Sequence, residues 1–175
     1  MWLLRPLTPL FAFYAARYIE KNATNHRPVA RKLTIREHEA LGRFFDADLL
    51  HRARVANAPL PLPPKVQRLA TILRLDALVN PELTAAITFN NVIVHEEPIS
   101  MRTLFHELIH VEQYKQLSVA RFARCYVRGY LRDGKYEDIP LEKHAYELDA
   151  RYAANPAIPF SVRKEVKKWV TEGRY

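Results

Sequence analysis

Residues 106 to 110 read His-Glu-Leu-Ile-His, and no other stretch constrains its surroundings as strongly. Four residues apart on a helix, His106 and His110 lie about 40° apart around the axis, so both imidazoles can reach one ion. Leu104, Leu108 and Val111 cluster on the opposite side of such a helix, with Phe105 and Ile109 on a flank. The helix must therefore pack in a core while its polar face opens onto a defined site. Glu107 is turned roughly 100° from His106, within reach of water at a bound ion. With this chain's histidine and glutamate content, chance supplies only about 0.02 such pentapeptides.

Composition narrows the ligand chemistry. Cys125 is the only cysteine in 175 residues, which excludes an intramolecular disulfide and a thiolate pair. Any metal must be held by His and carboxylates. A composition 49% hydrophobic and 26% charged is that of one globular domain. Lys and Arg exceed Asp and Glu by 27 to 19, a formal charge of +8, which raises anionic partners. The basic residues are spread along the chain, however, and no aromatic-plus-basic nucleic-acid module is present, so nucleic acid is not the expected partner.

The N-terminus, MWLLRPLTPLFAFYAARYI, is apolar, but Arg5, Pro6 and Pro9 interrupt the run and no A-x-A site follows. It reads as neither a signal peptide nor a span of about 20 apolar residues. The expected location is cytoplasmic. A helix from about Leu7 to Lys21 is predicted instead, and its aromatic residues with Arg17 and Lys21 suit peripheral contact with a membrane.

Farther along, Asn22 to Pro28 is turn-like, and Thr34-Ile35-Arg36-Glu37 has the form of a capping box. Leu41, Phe44, Phe45 and Leu49 follow at helical spacing, predicting a helix from Thr34 to about Arg54. The run Pro59 to Pro64 is a stiff connector. It separates an N-terminal helical segment, 1–58, packed on or covering the core, from a metal-binding domain, 59–175, within one domain overall. Val66, Leu69, Ala70, Leu73 and Ala77 predict a helix ended by Asn80-Pro81. Ala85 to Phe89 and Val92 to His95 read as a hairpin across Asn90-Asn91. Helices are then expected over Met101 to Leu117, from Ser118 onward with Gly129 and Gly134 loosening its end, from Pro140 to about Ala154, and over Ser161 to Tyr175, where Val162, Val166 and Trp169 face inward. The fold class is α+β and predominantly helical, with a short β-hairpin before the His-Glu-x-x-His helix.

A catalytic zinc takes three protein ligands and leaves a position open. A third histidine six residues beyond His110 is excluded, because Gln116 stands there. The helix opened by Pro140 offers Glu142 and Glu147, about 140° apart, so one of them faces the metal. Glu142 is preferred: it shares a face with the small Ala145 and with Asp149, a carboxylate that could orient a ligand histidine. Glu147 is the alternative, and His144 a weaker third. Tyr114, Tyr126 and Tyr130 are candidates for stabilising an oxyanion. His26, His38, His51 and His95 have no partner pattern, and Cys125 reads as a packed thiol.

The segment His-Glu-Leu-Ile-His-Val-Glu-Gln-Tyr, followed by Pro-Leu-Glu-Lys-His-Ala at 140–145, resembles the small bacterial zincin-like proteins with an HELxHVxQ and then ExxA signature. These are related to metallopeptidase-like core domains of contractile injection systems. The likeness runs from about Ala85 to Ala154. It implies a zincin-like fold, zinc ligands His106, His110 and Glu142, and Glu107 as catalytic base. Gln113 matches the family's glutamine, and the strand before the helix would border the cleft. Where many relatives carry Asp after ExxA, this chain has Tyr146, leaving Asp149 as the substitute. The expected activity is zinc-dependent hydrolysis of a peptide or protein. The rivals are a non-catalytic zinc-stabilised interaction module and a basic nucleic-acid or membrane-surface binder.

Overall fold

The computed structural model describes residues 6–61, 85–96, 98–133 and 136–175. The predicted Val66 to Ala77 helix and the end of the proline connector lie outside the described residues. Helices α1 (Thr8–His26), α2 (Ile35–Leu41), α3 (Ala47–Arg52), α4 (Met101–Leu117), α5 (Val119–Asp133), α6 (Pro140–Ala154) and α7 (Val162–Thr171) accompany strands β1 (Arg54–Asn57), β2 (Ala86–Phe89) and β3 (Val92–His95). The architecture is α+β and mainly helical, as expected.

Helix α1 runs a turn beyond its predicted end. Asn22 Nδ2 donates to the Tyr18 carbonyl and His26 Nδ1 to that of Asn22, both at 2.9 Å, so polar side chains bond back along the helix instead of breaking it. The turn begins only at Arg27–Val29. The inner face, with Ala12, Ile19 and Ala23 buried, packs against α5, while Leu10, Phe13 and Tyr14 are exposed. Among the described residues, no helix is long and apolar enough to cross a membrane.

The capping box forms as read, with Glu37 N–H donating to Thr34 Oγ1 at 3.2 Å and Thr34 N–H to Glu37 Oε2 at 2.6 Å. The single helix expected from Thr34 to Arg54 does not. The chain turns after Leu41, makes the short α3, and enters β1 at Arg54. Neighbouring Phe44 and Phe45 both pack on Phe105, with ring centroids 5.4 and 5.1 Å apart. On one helix they would point about 100° apart, so tertiary packing overrides the local period.

Strand β1 lies parallel to β3, Val55 opposite Ile93, and β2 antiparallel to it, Thr88 opposite Ile93. The order β1-β3-β2 puts β3 in the middle, where all four of its side chains are buried. Residues before Pro59 therefore supply a strand of the sheet. The hairpin turns at Asn90, whose φ is 59°, a conformation asparagine tolerates.

The core has two aromatic centres flanking α4. On one side Phe105 stacks on Tyr152, centroids 4.1 Å apart, with Phe44 and Phe160 edge-on. On the other, Tyr114 stacks on Phe122 of α5 at 3.8 Å. Helix α7 buries Val162, Val166 and Trp169 as expected. Gly129 does not loosen α5. A Cβ there would sit 2.7 Å from Pro140 Cδ, so the glycine permits a close crossing between α5 and the start of α6.

Candidate metal centre

Helix α4 is started by Ser100, whose hydroxyl accepts from Thr103 N–H at 3.0 Å, and it contains neither Gly nor Pro. Core lies on both sides of it, so His106, Glu107, His110, Glu112 and Gln113 are buried together with its apolar residues. Buried polar groups are costly unless each finds a partner. Those partners define the site.

Glu107 is met from β2, where Thr88 Oγ1 donates to Glu107 Oε2 at 2.6 Å. Glu112 lies off the site and accepts from Gln116 Nε2 at 2.6 Å. Gln113 has no exposed surface: its Oε1 is 2.9 Å from His110 Nδ1, and its Nε2 donates to the Leu141 carbonyl at 3.0 Å. Because the amide nitrogen is committed to a carbonyl, Oε1 must accept from His110 Nδ1–H, which directs the lone pair of neutral His110 to Nε2.

Three donor atoms converge beyond these contacts. His110 Nε2 lies 3.2 Å from His106 Nε2 and 3.3 Å from Glu142 Oε2, and His106 Nε2 lies 3.6 Å from that oxygen. Glu142 Oε2 is also a buried oxygen with no hydrogen-bond partner. A tetrahedral zinc-sized ion bound at about 2.0–2.1 Å requires donors about 3.3–3.4 Å apart, close to the edges of this triangle. His106, His110 and Glu142 are placed to hold a metal.

The electrostatics agree. Burial opposes charge on His110, but the facing Glu142 carboxylate and the charge of Glu107 outweigh burial and push the imidazole up to about 9. Burial would likewise raise the Glu142 carboxyl, yet the His110 and His106 imidazoles facing it hold it well below the usual carboxylate range. Without an ion, a proton on His110 balances Glu142. Metal and proton compete for the same lone pairs.

The triangle adjoins a cleft of about 230 Å³ lined by His106, Glu107, Arg102, Tyr136, Tyr146 and Asp149, with Ala85 and Ala86 at its β2 side. Glu147 is exposed on α6, so of the two glutamates Glu142 is the one that reaches the histidines. Asp149 does not orient a ligand histidine: its carboxylate is bound by Arg102, Nε to Oδ1 at 3.0 Å and Nη2 to Oδ2 at 2.9 Å. Tyr146 lies against His106, centroids 4.7 Å apart. His144 turns away from the triangle to stack on Trp169 at 4.8 Å.

Among the tyrosines, Tyr114 is buried and donates to the Thr88 carbonyl at 3.3 Å, which ties α4 to β2. Tyr130 is buried in the core cluster that also holds Ile139 and Leu141. Tyr126 is the one that reaches the ligands. Burial, then the nearby Glu142 charge, pushes its hydroxyl well above the ordinary value. Thr88, Tyr136 and Arg102 were not singled out from the sequence. Only Arg102 left a signal there, as the residue one helical turn before His106. The chain matches no protein-family model, no curated protein and no solved structure with which it was compared.

Proposed function

We propose that the protein is a zinc-dependent hydrolase of peptide bonds. The observation that carries this reading is the donor triangle of His106, His110 and Glu142 with Glu107 beside it, bordering a cleft. A zinc ion held by His106, His110 and Glu142 would supply Lewis acidity, bringing the pKa of a bound water near 7 and polarising a substrate carbonyl. Glu107 is the base. It removes a proton from water as the water oxygen bonds to the carbonyl carbon, and it delivers that proton to the nitrogen when the C–N bond breaks. Thr88 occupies one oxygen of Glu107 and holds the carboxylate toward the cleft, leaving the other to accept the proton.

The test combines elemental analysis with mass-spectrometric readout of a peptide library. The wild-type chain is expected to carry about one zinc and to cleave. Glu107→Gln should keep the metal and lose cleavage by at least about 100-fold. A His106→Ala/His110→Ala double variant with undiminished metal content would overturn the assignment. Metal-dependent melting with no cleavage in any variant would assign the ion a structural role instead.

A further inference from the structure

The cleft holds a second polar feature that the hydrolytic reading does not use. Arg102 is one turn N-terminal to His106 on α4, so it lies about 6 Å along the axis on nearly the same face, and it lines the same cleft as His106 and Glu107. Its side chain is 62% exposed, whereas that of its partner Asp149 is 5% exposed. Two of the guanidinium's nitrogens, Nε and Nη2, are bound by the Asp149 carboxylate. Among the described residues no acceptor engages Nη1. A buried acid thus fixes a rigid, permanently charged fork at the wall of the cleft and leaves a donor edge toward solvent. That is the arrangement by which arginine recognises carboxylates in a defined orientation.

We infer that Arg102, pinned by Asp149, is a substrate-binding residue that selects peptides carrying a carboxylate within one or two residues of the bond to be cleaved. This rests on the hydrolase reading for its role, though the binding event itself needs only the arginine and the cleft. The spacing sets the position: about 6 Å along α4 corresponds to roughly two residues of extended peptide at 3.3 Å each. Arg102 also sits where the ligand's charge would be opposed by Glu107. Arg102 lies on the N-terminal side of His106 along α4 and Glu107 on the C-terminal side, and Asp149 fixes the guanidinium by its contacts to Nε and Nη2.

An acidic side chain and a free C-terminus offer the same carboxylate, and binding to the full-length chain distinguishes them. Two matched pairs serve as probes, measured by calorimetry with and without zinc: Ac-Ala-Asp-NH2 against Ac-Ala-Asn-NH2, and Ac-Ala-Ala-OH against Ac-Ala-Ala-NH2. At least one acid should bind about 10-fold more tightly than its amide. Arg102→Gln should abolish that ratio, and Arg102→Lys, which keeps the charge but not the fork, should retain only part of it. Thermal melts of both variants establish that they are folded. Equal binding of acid and amide by the wild-type chain, or an unchanged ratio in folded Arg102→Gln, overturns the inference. Absence of zinc binding or of cleavage would sink the hydrolase reading alone, because the acid-to-amide ratio is also read on the metal-free chain.

Discussion

Gln113 commits both ends of its amide, one to His110 and one to the carbonyl of the residue preceding Glu142. It thereby orients one ligand and ties down the turn that carries another. Gln113→Leu keeps the volume but frees the His110 tautomer and leaves the buried His110 Nδ1 without its partner. We expect zinc affinity to fall about 10- to 100-fold and stability to fall by about 1–3 kcal/mol, read by competition with a chromophoric chelator and by urea unfolding. Unaltered affinity would show that His110 needs no such support. His106, Glu107 and His110 were legible because their relation is internal to one helix and follows from 100° per residue. Glu142 was legible only as a choice between two glutamates, since which face of α6 meets α4 is not written in α6 itself. Asp149 illustrates the limit. Its face was read correctly, but its partner is Arg102, a charge from another helix that local periodicity cannot pair with it.

At the level of elements, the ligands are brought together by the crossing of α4 with α6 and by the passage of α5 beneath the start of α6. Gly129 permits that passage, since a Cβ there would meet Pro140 at 2.7 Å and Ile139 Cγ2 at 3.3 Å. Gly129→Ala should cost about 1–3 kcal/mol by overpacking, despite alanine's better helix propensity. Because Pro140 lies two residues before Glu142, zinc affinity should fall with it. A variant more stable than wild type in chemical denaturation would contradict the crossing. Long helices and the hairpin were legible from caps, period and the Asn90-Asn91 turn. Strand β1 was not: four residues without alternation carry no strand signal, and their conformation is imposed by parallel pairing with β3.

For the whole molecule, the buried cluster of His106, His110 and Glu142 couples protons to folding and, on the proposed reading, metal as well. His110 gains proton affinity on folding, so its contribution is complete below its ordinary 6.5 and is lost as pH rises through about 9. Glu142 loses proton affinity, so its contribution is complete above its ordinary 4.5 and is lost as pH falls below that. His144 runs opposite to His110. Burial, then the charges of Arg174 and His110, lowers it to about 4, so its contribution is present above 6.5 and drains away as pH falls toward 4. The metal-free chain should therefore lose thermal stability from pH 6.5 to 9. The zinc-loaded chain should not, because the cation replaces the proton. Melting curves with and without a chelator across this range test the coupling, and parallel pH profiles would refute it. Saturating zinc should also raise the melting temperature, since a ligand of the native state stabilises it by mass action.

The sequence by itself determined the helix that bears the candidate ligands, their chemical class and the helical character of the chain, because spacing, capping and composition act over a few residues. It also reduced the third ligand to two candidates. Only the tertiary structure decided between Glu142 and Glu147, supplied Thr88 to Glu107, gave Asp149 to Arg102 and folded residues 54–57 into the sheet. Each of these joins groups far apart in the chain, and such pairings are settled by which buried polar atom is left without a partner once the core has closed.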